Sequence, residues 1–424
     1  GDKYIFYIHD IDGNDNHILY RYDIEKNENK ALNQSKKVRI IDLDYNKDFP
    51  FELIVAMPLG NAISLYRVDL KRDTVTLLYK NPGNIHDWVI DNTGNLRGIV
   101  TFKDDREIEF MIRDNEEDTW KKVISWDMDD VLMCRSVRCS KDNKYVYMID
   151  PGVSNTSCLV RIELNTGKRE VIVCDPEYDI NSVVNTYTYE FPSILFDSDT
   201  LKLQALCINR FRKDWIILDE TIREDFSVIK DLQNGDFSVT SSDSNNENWI
   251  AGFELDKGPV SYYIFNRKSK KATFLFHDRP CLKDYTLASM EELTFTSRDG
   301  LTIHGYITYP PGNIRKNLPA VLFVHGGPWK RDNWGYNPAV QWIANRGYVC
   351  IQINYRGSTG YGKDFLNAGN KEWGGKMQED LEDGVRWVIE KNIVDPARIA
   401  IYGHGYGGFA ALAGATFTSD LFRC

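Results

Sequence analysis

The stretch Ile399-Ala-Ile-Tyr-Gly-His-Gly-Tyr-Gly-Gly-Phe-Ala-Ala-Leu-Ala413 carries the clearest chemical pattern in the chain. An apolar run (Ile399–Tyr402), a glycine-dense turn (Gly403–Gly408) and a small-residue helix follow one another there. A nucleophile elbow, Gly-x-Ser-x-Gly, has this layout: a strained strand-to-helix turn lifts a hydroxyl above a parallel sheet. Glycines flank such a nucleophile because neighbouring backbone passes too close for a Cβ and because positive φ is wanted. Here the frame reads Gly403-His404-Gly405-Tyr406-Gly407, and Gly405 stands where the serine of the pattern would be. Glycine supplies no nucleophile.

Parallel sheets place active sites at the carboxyl ends of their strands. Three glycine-rich loops are expected at such ends. His325-Gly326-Gly327-Pro328 follows the apolar run Ala320–Val324, Tyr355–Gly362 follows Val349–Asn354, and Gly403–Gly408 follows Ile399–Tyr402. In an elbow, one oxyanion donor is the backbone N–H just after the nucleophile, here Tyr406. The second comes from the loop after an earlier strand, here Gly327. Each such donor typically stabilises a transition state by roughly 3–4 kcal/mol. His325, Gly326, Pro328, Gly403, His404 and Gly407 are the supporting positions. Arg356 has two readings, orienting the site or forming a buried ion pair, and sequence leaves both open. Phosphate binding accounts poorly for Gly403–Gly408, because neither Gly-x-Gly-x-x-Gly in a first βαβ unit nor a following Lys-Ser/Thr is present. Plain strand-to-helix turns need glycine too, but two such loops, in this order, point to acyl transfer.

The elements that position these loops read as an α/β sheet. Glu291–Thr296 and Leu301–Tyr309 flank Ser297-Arg-Asp-Gly300, a hairpin signal. Ala320–Val324 and Val349–Asn354 are continuous apolar runs suited to strands buried on both faces. Pro338–Arg346 reads as a short helix. Trp373–Asn392 reads as the longest, with Met377, Leu381, Val385, Val388 and Ile389 along one face. Asp395-Pro396 breaks the chain before the next strand. Strands alternating with helices imply a parallel sheet. His304 alternates with apolar neighbours and reads as structural.

Residues 1–285 show a different pattern. Leu19–Ile24, Leu65–Leu70, Glu109–Arg113, Leu159–Leu164, Asp214–Leu218 and Ser261–Phe265 are similar short strands whose starts lie 46, 44, 50, 55 and 47 residues apart. A second element, a polar turn before an apolar strand, recurs at Ser140–Met148 and Ser242–Ala251. An all-strand period of this length suits propeller blades of four strands. A β-sandwich pair is the competing architecture. His9, His17, His86 and His277 lie in different units without ligand-like spacing and read as structural or surface groups. The acidic run Asp114–Asp118 reads as a solvated loop.

The whole-chain quantities bound the function. At 424 residues two or more domains are expected. A hydrophobic content of 42% and a charged content of 27% are those of a globular protein. The net charge of −10, without a basic cluster, argues against nucleic acid or an anionic membrane as partner. No apolar run approaches a spanning helix, and Gly1-Asp-Lys-Tyr does not read as a signal peptide. The eight cysteines show no Cys-x-x-Cys pair and no histidines clustered beside them, so no metal site is expected. That pattern favours a reducing, cytoplasmic location over a secreted or periplasmic one.

Together, His325–Pro328, Asn354-Tyr-Arg-Gly-Ser-Thr-Gly-Tyr-Gly362, Trp373-Gly-Gly-Lys-Met-Gln-Glu-Asp380 and Gly403–Gly408 resemble the prolyl oligopeptidase family of serine peptidases. The likeness is greatest to its acylaminoacyl-peptidase-like and dipeptidyl-peptidase-like members. The resemblance implies a β-propeller of six to eight blades over 1–285, then the first half of an α/β-hydrolase domain over 286–424. It implies hydrolysis of short peptides through an acyl-enzyme, with a Ser-Asp-His triad, no cofactor, oligopeptides as partners, and room for a homo-oligomer. Two departures stand out. Gly405 replaces the family's serine, and every histidine lies at or before His404, so the triad Asp and His are not in this chain. The expectation is a peptidase in an inactive form. The alternatives are a non-catalytic peptide-binding protein and an esterase on the same fold.

Overall fold

The computed structural model describes residues 3–10, 13, 18–32, 42–45, 51–115, 117–180, 193–312 and 314–424. His17 and residue 116 of the acidic run lie outside the described residues.

Alternation along the short strands becomes burial on one face. In Glu107–Ile112 the side chains of Ile108, Phe110 and Ile112 are buried while those between them are half-exposed. The charged turns close the hairpins with their own carboxylates. Asp23 Oδ1 accepts from the backbone N–H groups of Glu25 and Lys26, Asp69 Oδ1 from those of Lys71 and Arg72, and Asp197 Oδ1 from those of Asp199 and Thr200. An Asp at such a turn substitutes for a backbone acceptor, which is why the repeats are acidic between strands.

Six sheets of consecutive strands result among the described residues. They span Tyr4–Ala31, Asp42–Tyr79, Ile85–Asp127, Arg135–Val173, Ile194–Ile217 and Asp236–His277. The first and fifth contain three described strands and the others four. Four of the six recurrent segments fall on the third strand of a four-stranded sheet, Ala62–Asp69, Glu107–Ile112, Cys158–Glu163 and Ser261–Asn266, while Leu19–Ile24 falls on the middle described strand of the first sheet. The second recurrent element supplies second strands, Tyr145–Asp150 and Asn248–Glu254. In the fifth sheet the third strand, Lys213–Ile217, is the last, and helix α1 (Arg223–Lys230) comes after it. Phe226 and Ile229 of α1 pack with Phe237, Trp249 and Phe253 in one buried cluster.

The chain parts into two compact units. One is Gly1–Val131 with Arg135–Met148 and Arg161–Glu170; the other is Leu132–Cys134 with Ile149–Val160 and Val171–Cys424. Cys158 and Cys174, both in the second, form a disulfide that their spacing does not reveal. Among the described residues no helix is long and apolar enough to cross a membrane.

The second unit ends in a five-stranded mixed sheet. Its strands are β1 (Met290–Thr296), β2 (Thr302–Thr308), β3 (Leu318–Val324), β4 (Val349–Asn354) and β5 (Val394–Gly403), arranged β1-β2-β4-β3-β5. β1 and β2 form the hairpin, and β2 joins β4 antiparallel. β4, β3 and β5 are mutually parallel, as strands joined through helices must be. Every residue of β4 is buried. Helices α2 (Pro338–Ala344), α3 (Lys363–Asn367), α4 (Lys376–Glu390) and α5 (Tyr406–Phe417) complete the region. Asn337 caps α2 by accepting from the N–H groups of Ala339 and Val340.

The longest helix is shorter at both ends than its apolar periodicity predicts. Gly374 at φ +73° and the non-helical Gly375 delay its start to Lys376, and Asn392 at φ +56° ends it.

β2 and β4 approach so closely at Gly305 that an added Cβ would lie 2.2 Å from the carbonyl oxygen of Gln352. At Gly300, in the hairpin turn at φ +93°, an added Cβ would meet nothing within 4 Å. Gly305→Ala is therefore expected to lower stability to urea by about 2–4 kcal/mol, and Gly300→Ala by about 1 kcal/mol. Equal costs in the two denaturation curves would contradict this packing.

Candidate active site

The three glycine-rich loops leave the carboxyl ends of β3, β4 and β5, which share one edge because these strands are parallel. The turn after β5 is built by close approach. At Gly403 an added Cβ would lie 2.5 Å from the carbonyl carbon of Gly407, and at Gly407 it would lie 2.1 Å from the carbonyl oxygen of Val324. No side chain fits at either position. Gly405 differs. It sits at φ +61°, ψ −125° just before α5, and an added Cβ would meet only Gly326 Cα, at 3.9 Å. Positions 403 and 407 need glycine for space, whereas 405 needs it only for its left-handed backbone. The vacant direction at 405 points at the loop after β3.

That loop is held by His325. Its side chain is buried, with Nδ1 2.8 Å from the carbonyl oxygen of Gly326 and Nε2 3.1 Å from Ser358 Oγ. Tyr355 stacks on the imidazole, with centroids 4.4 Å apart, and donates its hydroxyl to the carbonyl oxygen of His325 at 3.0 Å. Tyr355 also packs on the ring of Tyr406 at 5.1 Å. Thus one tyrosine from the loop after β4 touches both other loops. The sequence showed Tyr355 only as part of a motif, and no local signal distinguished it. Gly327 takes φ +126°, and Gly327–Pro328 is cis. Gly326 approaches His404 so closely that an added Cβ would lie 3.1 Å from its carbonyl oxygen. The fold therefore gathers His325, Gly326, Gly327, His404, Gly405 and Tyr406. Among the described residues the backbone N–H groups of Gly327 and Tyr406 meet no acceptor.

Arg356 is turned away from this cluster. Its guanidinium donates from Nε and Nη2 to Asp380 at 2.8 and 2.7 Å, and from Nη1 and Nη2 to Asp299 at 2.8 and 2.7 Å. Of the two readings of this arginine, the geometry is that of the buried ion pair. It ties the loop after β4 to α4 and to the β1–β2 turn. The Arg356 hydrogen bonds hold the Asp299 carboxyl below the usual carboxylate range. Burial pushes the Asp380 carboxyl up against the pull of the same arginine.

Other groups near the site are also buried. Burial lowers the His325 imidazole to about 4, so it is neutral near pH 7. Burial raises the Tyr406 hydroxyl, which is enclosed and meets no hydrogen-bond partner among the described residues. Asp332 lies beyond the loop after β3. Its Oδ2 has no partner among the described residues, and burial pushes its carboxyl up to about 7. Trp373, half exposed, packs edge-on against Tyr406 at 5.1 Å and beside Phe409.

Residues 334–424 match the model of the prolyl oligopeptidase family. That segment carries the prolyl oligopeptidase family's pattern. It is 33% identical over 429 aligned residues to a dipeptidyl aminopeptidase BIII of Pseudoxanthomonas mexicana, covering 99% of this chain and 60% of that protein. It is 29% identical to dipeptidyl peptidase family member 6 of Caenorhabditis elegans, covering 74% of this chain and 44% of that one. The chain thus spans at most about three-fifths of these relatives. In fold it is similar to a puromycin-hydrolysing peptidase of Mycobacterium tuberculosis, with a TM-score of 0.73, 18% identity, and coverage of 99% and 68% of the two chains. An acylaminoacyl peptidase of Pyrococcus horikoshii is similar with a TM-score of 0.64, 16% identity, and coverage of 99% and 67%.

The open and closed glycine positions of the turn differ in what a methyl group would cost. Gly405→Ala should cost only about 1 kcal/mol, the strain of a left-handed residue, while Gly407→Ala should cost about 3 kcal/mol or more. Comparable melting temperatures for the two variants would contradict that difference.

The buried titratable groups give stability a pH dependence. Between 6.5 and about 4, His325 binds fewer protons folded than unfolded, so acidification through that window removes stability. Asp332 has the opposite sign. Its folded carboxyl binds more protons between 3.8 and about 7, so stability falls as pH rises through that range. Relative to the parent chain, Asp332→Asn should therefore remove a fall in melting temperature as pH rises from about 4 to about 7, and His325→Gln should remove an opposing rise between about pH 4 and about pH 6.5. Profiles parallel to the parent chain would contradict these assignments.

Proposed function

We propose that the protein is a serine peptidase of the prolyl oligopeptidase family in an inactive form, with Gly405 at the nucleophile's place. One observation carries this reading. Of the three glycines in the frame Gly403-His404-Gly405-Tyr406-Gly407, Gly405 is the one that leaves space for a side chain, directed at the loop that holds Gly327. A serine hydroxyl there would attack a peptide carbonyl. The oxyanion of the tetrahedral adduct would lie between the N–H groups of Gly327 and Tyr406. The leaving amine would need a proton from an acid–base residue, and the order of the triad puts that histidine and its aspartate beyond residue 424. Neutral His325 is a buried support of the oxyanion loop.

In the same reading residues 1–285 form a β-propeller, and 286–424 form the first part of an α/β-hydrolase domain. Six consecutive-strand sheets support the first assignment. The second is supported by an apolar surface on β5 and α5, where Tyr402, Phe409, Leu412 and Phe417 are exposed. Further sheet and helix would cover such a surface. Arg423 N donates to the carbonyl oxygen of Ile399, and Ile401 N to that of Cys424, so the last residues already lie along the outer edge of β5. The substrates would be oligopeptides, with release of aminoacyl, acyl-aminoacyl or dipeptidyl groups.

The missing nucleophile supports one other reading, capture of peptides without turnover. Hydrolysis of chromogenic aminoacyl, acyl-aminoacyl and dipeptidyl amides by the complete reading frame, with and without Gly405→Ser, separates the two. The peptidase reading expects turnover to rise by up to about 10⁶-fold with serine and to be blocked by a serine-directed phosphonate. A folded Gly405→Ser protein that binds these peptides and releases no product would establish capture instead.

A further inference from the structure

Among the described residues the fifth sheet stops one strand short. In the four-stranded sheets the third strand is followed by a fourth: Thr74–Tyr79, Lys121–Asp127, Arg169–Val173 or Lys271–His277. After Lys213–Ile217 the chain enters the turn Glu220–Ile222 and α1 instead. Among the described residues the outer edge of Lys213–Ile217 pairs with no strand.

The ladder on the inner side shows which groups face that edge. Leu218 N donates to the carbonyl oxygen of Gln204 at 2.8 Å, and the register continues through Leu206–Ile216 and Ile208–Asp214. Antiparallel pairs alternate between bonded and non-bonded, so the N–H and C=O of Trp215 and Ile217 turn outward. None of these four groups meets a partner among the described residues. The next outward donor, Lys213 N, is met by Asp236 Oδ2 at 3.1 Å, which closes one end of the edge.

A cleft of about 630 Å³ runs beside this edge, between it and α1. Its floor is aromatic. Trp215 meets Phe226 edge-on at 5.3 Å and lies over Phe237 at 6.1 Å. Its rim is basic. Arg223 and Lys230 project from exposed positions on α1, Arg223 pairs only with the surface Glu220, and Lys230 makes no ion pair among the described residues.

We propose that this edge is a binding site for an extended acidic peptide, which adds as the fourth strand. Its main chain would bond to Trp215 and Ile217. Alternate side chains would rest on the aromatic floor, and its carboxylates would meet Arg223 and Lys230. A small anion would satisfy the basic rim but leave the strand edge unpaired. A neutral strand would pair with the edge but leave the rim without a counter-charge. An acidic strand satisfies both. The site is separate from Gly405 and does not depend on the chemistry proposed there.

The test uses the whole chain and a fluorescein-labelled, acetylated Val-Glu-Val-Glu-Val-Glu peptide. Three control peptides carry lysine for glutamate, N-methyl groups on the glutamates, or N-methyl groups on the valines. Saturable anisotropy is expected for the acidic peptide. Binding should weaken about tenfold or more with the lysine peptide and with at least one N-methyl version, since charge pairs and main-chain bonds are both lost. Amide hydrogen exchange in 213–217 should slow on binding. Arg223→Glu with Lys230→Glu, both at exposed positions, should leave the melting temperature unchanged and reverse the preference towards the lysine peptide. Absence of binding overturns the proposal. So does binding indifferent to N-methylation of either register or to the double substitution, or protection confined to 325–328 and 403–408.

Discussion

The candidate site depends on one close backbone approach, where α5 starts against the end of β3. A Cβ at Gly407 would lie 2.1 Å from the carbonyl oxygen of Val324. Only glycine there, and at Gly403, lets the turn pass so near. Everything that faces the site depends on that contact. It brings Gly405 opposite Gly326, aims the Tyr406 N–H out of the first turn of α5, and sets the Tyr406 ring against Tyr355 and Trp373. A larger residue at 407 would displace all of these together.

Two polar assemblies hold the loop after β4 on either side of this contact. On one side, Tyr355 and Ser358 grip His325, a neutral imidazole whose burial leaves it no charge to solvate. On the other, Arg356 lies between two carboxylates, one buried and one at the surface. A buried guanidinium needs such company, because unpaired it would forfeit its hydration without return. Further along the loop, Gly362 N donates to Asp179 Oδ2 at 3.1 Å, and Lys363 N to the carbonyl oxygen of Asn155 at 2.8 Å. Within the second unit, residues far earlier in the chain therefore help to fix the loop beside the site.

The antiparallel sheets show how a repeat tolerates variation. A third strand is present in each of the four-stranded sheets and in the fifth, with one-face burial clearest in Glu107–Ile112. The element that follows it is free to differ, and in the fifth sheet the chain continues into a helix instead of a strand. Its apolar face, through Phe226 and Ile229, joins the same core that a strand would have covered, but a helix cannot satisfy a strand's edge.

Taken by itself, the sequence determined the elements and the order of the loops. Period-two alternation produced the strands, continuous apolar runs produced β3 and β4, and the glycine spacing marked the elbow, since each of these signals is local in the chain. The family resemblance also lay in local motifs. Helix ends were less legible, since Gly374 and Asn392 act through single backbone angles that periodicity does not encode. The tertiary structure alone decided which glycines were indispensable, because Gly403, Gly405 and Gly407 look alike until Val324 and Gly326 are placed beside them. It alone chose between the two roles of Arg356, gave Tyr355 its part, and paired Cys158 with Cys174. Each of those outcomes depends on a distance between groups separated in the chain, and a linear pattern carries no such distance.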